Sequence, residues 1–145
     1  MGRKTWIDSD IWRDMRKDPI EVQMFYLRLL CSENGNIAGY FKIDVGHLAY
    51  DMRTDEDEVI ALLTKKTKYW KYDKETEQVL IPRYTKHNAV KSPPQINKLN
   101  AELSKLTPCK LHGEFIKAFA ECNGIGAETL LDPKFLEKAK PYINI

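Results

Sequence analysis

The chain has 145 residues, 43% of them hydrophobic, with 23 Lys/Arg against 21 Asp/Glu and three cysteines. That suffices for one domain with a core of its own, while an odd number of cysteines without C-x-x-C spacing argues against a disulfide-stapled secreted scaffold. No run of about 18 apolar residues exists to span a bilayer, and the start, MGRKTWIDSD, lacks the apolar stretch of a signal peptide. A soluble, cytoplasmic protein with buried, reduced thiols is expected.

In chain order, SDIWRDMRK before Pro19 is a short amphipathic segment in which Ser9 or Asp8 caps a turn that buries Ile11, Trp12 and Met15. Asp18 and Pro19 open the clearest helix, since Val22, Phe25, Tyr26, Leu29 and Leu30 keep the i, i+3, i+4, i+7, i+8 spacing of a buried stripe. ENGN at 33–36 ends it. GYFKID at 39–44 alternates and predicts a short strand, and VGHLAYDM a second brief helix. Thr54 then caps a third helix with Val59, Leu62 and Leu63 inward.

YWKYDKETEQVLIPRY reads as a β-hairpin around a polar loop, and Pro82 either puts its second strand at an edge or ends it. From Ser92, SPPQINKLNAELSKL starts a helix on proline, with Ile96, Leu99, Leu103 and Leu106 at heptad-like spacing that suggests a subunit interface. After Pro108, Leu111, Phe115, Phe119 and Cys122 share one side of a further helix stopped by NGIG, and DPKFLEKAKPYINI makes a last one. The fold class is therefore mainly α with a small β-hairpin. Three helices, a small sheet and a projecting hairpin describe a winged helix-turn-helix over residues 1–106. Residues 107–145 form a helical extension too small for its own core, expected to pack on the first domain or on a second subunit.

Charge is unevenly distributed. Residues 51–58 carry five acids against Arg53, whereas residues 59–98 carry nine Lys/Arg against Asp73, Glu75 and Glu77. Between Gln78 and Ala101 there is no carboxylate at all. The predicted grip on DNA is accordingly Lys65, Lys66, Lys68, Lys71 and Lys74 on a basic wing, followed by Arg83, Lys86, His87, Asn88, Lys91 and Lys98. Tyr69, Trp70 and Tyr72 either stack on bases or pack beneath the hairpin. Asn88 and Gln95 have the amides that read adenine edges, although a solvated connector explains the segment equally well.

Asp55, Glu56, Asp57 and Glu58 invite a metal-site reading, but consecutive helical residues fan out by roughly 100° each and cannot converge on one ion. Acids in a first turn instead favour the helix dipole. Cys109 and His112 make a lone C-x-x-H without partner ligands, His47 and His87 share no ligand spacing with it, and no phosphate-binding G-x-x-x-x-G-K-[ST] occurs. No metal, no cofactor and no catalysis is expected.

KTWIDSDIW, MFYLRLL, GYFKID, LAYDMRTDEDEV and above all YDKETEQVLIPRYTKHNAVKSPPQINKLNAEL resemble the N-terminal domain of phage replisome organisers. That domain is similar to the winged-helix domain of DnaD-type replication initiation proteins. The resemblance spans residues 4–106 and implies origin or single-strand DNA binding, self-association, and a replication helicase or its loader as a further partner. Residues 107–145 are too few for the second helical domain that DnaD-type proteins usually carry. Two other functions suit the same pattern: a protein-interaction or oligomerisation module of the replication machinery, and a winged-helix transcriptional regulator.

Overall fold

The computed structural model of the protein describes Arg13, residues 15–31, 38–82, Tyr84, 92–124 and 126–143. Its first helix, α1 (Ile20–Leu30), buries Val22, Phe25, Tyr26, Leu29 and Leu30, the stripe its spacing predicts. Pro19 stands at the N-cap position without a side-chain cap. Asp18 has another use: its carboxylate accepts from the Tyr69 hydroxyl at 2.9 Å, and its carbonyl from Gln23 Nε2 at 3.1 Å. Of the expected segment before it, Met15 is fully buried. Asp8, Ser9, Ile11 and Trp12, like ENGN at 33–36, lie outside the described residues.

β1 (Tyr40–Lys42) leads into α2 (Val45–Met52), whose N-cap Asp44 accepts from the His47 amide. Then come α3 (Glu56–Thr64), β2 (Lys71–Asp73) and β3 (Gln78–Leu80). The three strands form an antiparallel sheet in the order β1-β3-β2, with Tyr40 opposite Leu80 and Tyr72 opposite Val79. β3 is thus the central strand, and Pro82 marks its end rather than an edge. Just before β1, Gly39 has φ +70°, and a Cβ there would lie 2.3 Å from Tyr84 Cβ, so only glycine fits.

The second half supplies α4 (Pro93–Leu103), α5 (Lys110–Asn123), a 3-10 turn (Ala127–Leu130) and α6 (Pro133–Ile143). α4 starts on a full capping box, Ser92 and Gln95 each bonding the other's backbone. α5 and α6 approach closely at Gly113, where a Cβ would meet the Tyr142 carbonyl oxygen at 2.5 Å.

Strand alternation explains how these halves join. Phe41, Val79 and Ile81 point into a core shared with α1, α2 and α3. Tyr40 and Leu80 point the other way, into a second core with Leu99, Leu103, Leu111, Phe115, Phe119 and Phe135. The sheet is therefore covered on both faces, and all three residues of β3 are buried.

Three expectations change as a result. The hairpin does not project freely, because α5 rests on β2 and β3. The extension packs on the sheet of its own chain, the first of the two placements expected for it, but α4 belongs to that second core rather than to the first three helices. Leu99, Leu103 and Leu106 of the expected subunit interface are buried inside the chain, with Ile96 half-buried against them, so this apolar stripe is internal packing. The thiols differ as well: Cys109 is buried, Cys122 half-buried and Cys31 exposed, all three free.

A polar seam joins the sheet to the extension. Tyr40 Oη shares a 2.7 Å hydrogen bond with His112 Nδ1 and lies 3.3 Å from Cys109 Sγ. Gln78 donates to the Thr107 carbonyl at 2.9 Å and accepts from the Thr107 amide at 2.6 Å. The C-x-x-H spacing thus has a structural use, in which both side chains meet a tyrosine hydroxyl. Burial drives the Tyr40 hydroxyl far above the ordinary phenol range, with Cys109 adding to the effect. Burial, helped by the Lys138 charge, holds His112 down to about 4.

Candidate nucleic-acid interface

The connection from α3 to β2, residues 65–70, displays lysines from a fixed backbone. Two large aromatics anchor it: Tyr69 bonds Asp18, and Trp70, with its ring edge on Phe25 at 5.1 Å, donates from Nε1 to the Leu62 carbonyl at 3.1 Å. Both rings are buried, so they pack beneath the hairpin and present no face for a base. Tyr72 is half-buried against the same core, and burial raises its hydroxyl pKa, with Glu77 and Asp73 contributing.

Lys65, Lys66 and Lys68 are all exposed on this anchored stretch. Lys65 immediately follows the last turn of α3, where the carbonyl end of the helix dipole favours cations. Lys65, Lys66 and Lys71 edge a shallow depression of about 310 Å³ beside Trp70 and Tyr72.

The hairpin tip is less basic than expected. Residues 74–77 form the turn, so Lys74 stands there between Asp73 and the pair Glu75 and Glu77. Asp73 is held by its own turn, accepting from the amide and hydroxyl of Thr76 at 3.0 and 2.6 Å. Glu77, at φ +56°, closes the turn in the left-handed region. Lys71 points to the other face of the sheet, where it meets Glu114 of α5 at 2.7 Å. The exposed positive charge is therefore greatest at the α3–β2 connection, with Lys65, Lys66 and Lys68, and not at the hairpin tip.

Lys98 is exposed on α4, which contacts β1, the opposite edge of the sheet from β2. Gln95 is engaged in its capping box, its side-chain oxygen accepting from the Ser92 amide at 3.0 Å. Arg83, Lys86, His87, Asn88 and Lys91 lie outside the described residues.

Two lysines that the sequence reading passed over stand near Lys68 and Lys71. Lys110 and Lys117 of α5 line a groove of about 710 Å³ together with Lys68 and Lys71. Nothing local in the sequence distinguishes them. They fall in a charge-balanced stretch, and only the packing of α5 on the hairpin brings them near the β2 lysines.

At the other end of α3 the four acids are a helix start, displaced by one residue from the expected position. Asp55, not Thr54, is the N-cap: its carboxylate accepts from the Glu58 amide at 2.8 Å. Thr54 lies just outside and donates its hydroxyl to the Glu58 carboxylate. Glu56, Asp57 and Glu58 occupy the first turn, all exposed. Among the described residues no group of three or more His, Cys, Asp or Glu could hold a metal ion, and no helix is long and apolar enough to cross a membrane.

No protein-family model, curated protein or solved structure matches this chain.

Proposed function

We propose that this chain is a winged-helix protein of phage replication type that binds DNA without catalysis. On this reading it grips the phosphate backbone mainly through Lys65, Lys66 and Lys68. The element order helix, strand, helix, helix, hairpin, with α1, α2 and α3 sharing one core against the sheet, supports a winged-helix arrangement. The observation that carries the reading is the anchored lysine connection, whose two buried aromatics hold three exposed cations in place before any ligand arrives. Lysines give affinity without base readout, so binding is expected to be weakly sequence-selective.

On this reading α3 takes the part of the recognition helix of a helix-turn-helix protein, whose N-terminal residues read base edges in the major groove. Here that end bears Asp55, Glu56, Asp57 and Glu58, which repel phosphate. DNA is therefore expected at the lysine end of α3. Replacing Lys65, Lys66 and Lys68 together by Glu should weaken binding to a duplex of about 20 base pairs by at least tenfold in fluorescence anisotropy. Stability should change by no more than about 0.5 kcal/mol per exposed site. A triple variant that folds and binds as the unmodified chain does would overturn the reading.

A second reading, a protein-interaction module of the replication machinery, draws support from exposed apolar side chains. Ile20 and Met24, one turn apart on α1, are 76% and 60% exposed, and Tyr50 on α2 is 82% exposed. A chain that ignores DNA at every ionic strength would favour this second reading.

A further inference from the structure

We propose that the groove between the β2–β3 hairpin and α5 is a docking site for an acidic peptide segment with apolar anchor side chains, supplied by a partner protein. The groove measures about 710 Å³, within the range of sites that enclose a ligand. Its lining combines aliphatic Leu80, Pro82 and Ile116 with lysines from both sides of the groove. Lys68 precedes β2 and Lys71 starts it. Lys110 and Lys117 come from the outer face of α5, whose opposite face is buried in the second core.

The charge inventory indicates the ligand. Four lysines line the groove against two carboxylates, Glu114 and Glu121. Among the described residues Lys110 and Lys117 have no ion-pair partner, while Lys71 holds Glu114 at 2.7 Å. A carboxylate therefore already sits on one of the groove's lysines, and two further cations await others.

A nucleic-acid strand suits the groove less well. Single-stranded sites combine a continuous cationic track with aromatic faces for base stacking. Here Glu114 and Glu121 interrupt the track, the rings of Tyr69 and Trp70 are buried, and among the described residues half-buried Tyr142 is the one aromatic in the lining. A peptide can space its carboxylates around the two glutamates and turn Leu- or Phe-like side chains to Leu80, Pro82 and Ile116, as amphipathic segments do in apolar grooves. This proposal does not depend on DNA binding by the α3–β2 connection.

The test is selection of random peptides of about 12 residues displayed on phage against the full chain, then anisotropy on labelled winners. Enrichment in Asp and Glu together with large apolar residues is expected. Replacing Lys110 and Lys117 by Glu should weaken the selected peptides by about tenfold or more with an unchanged circular-dichroism melt, since charge reversal places like charges in contact. Should that variant fail to fold, Lys110→Ala with Lys117→Ala takes its place. Glu114→Gln, which frees Lys71, should strengthen binding by about threefold. The proposal is overturned by selection without acidic enrichment, by winners indifferent to both lysine variants, or by an oligothymidine of about 12 nucleotides that binds through Lys110 and Lys117 more tightly than any winner.

Discussion

His112 is fully buried, with Nδ1 on the Tyr40 hydroxyl, its ring stacked on Phe135 at 4.7 Å, and no hydrogen-bond partner for Nε2 among the described residues. Burial and Lys138 together hold its pKa at about 4, below the ordinary 6.5, so the folded protein keeps it neutral. As pH falls below 6.5 the unfolded chain takes up the proton first, and stability declines until the folded ring also titrates near 4. Over that window the loss from this one residue should reach about 3 kcal/mol. Denaturant unfolding at several pH values checks it: the unmodified chain should lose that much more than His112→Phe between neutral pH and pH 4. Parallel curves would mean that the ring is hydrated and titrates normally. From sequence alone Cys109 and His112 read as a lone C-x-x-H with no partner ligands and no evident use. What settles their use is Tyr40, 72 residues from His112 along the chain, and no local spacing announces such a partner.

At the scale of elements, α3 carries opposite charge at its two ends, acids on the amide end and Lys65 with Lys66 past the carbonyl end, each matched to the dipole. Because Asp55 makes the cap, Asp55→Ala should cost about 1 kcal/mol in chemical denaturation, whereas Thr54→Ala, at a half-buried site outside the helix that caps no backbone amide, should stay below about 0.5 kcal/mol. The reverse order would restore Thr54 as the cap. Neutralising Asp55, Glu56 and Asp57 as Asn, Gln and Asn should change DNA affinity by less than about tenfold; a larger gain would place bound phosphates beside the acids. Among the described residues most helices and strands were legible to within about three residues, because Val22, Phe25, Tyr26, Leu29 and Leu30 or the short run Tyr40–Lys42 carry local periodicity, whereas the 3-10 turn Ala127–Leu130 was not read. What lies against each face was not legible. The stripe Ile96, Leu99, Leu103 and Leu106 says that one side of α4 is covered, and the same spacing serves a subunit interface or an internal core. β3, with Gln78, Val79 and Leu80 all buried, gives no alternation to reveal a second covered face. Gln78 can be buried because its amide pairs with the backbone carbonyl and amide of Thr107, 29 residues away.

For the molecule as a whole, one sheet serves two cores, and the hairpin is held between α3 on one side and α5 on the other. That arrangement makes the α3–β2 connection a rigid platform and sets Lys68 and Lys71 beside two lysines from the second half. Net charge is only +2, so any attraction to DNA arises from where the cations stand rather than from their excess. The measurement that bears most directly on DNA binding is a salt titration of duplex affinity by fluorescence anisotropy. With about five phosphates neutralised per subunit, log K should fall against log salt with a slope of about −4 to −5. A slope near zero, or no binding even at low salt, would contradict the account.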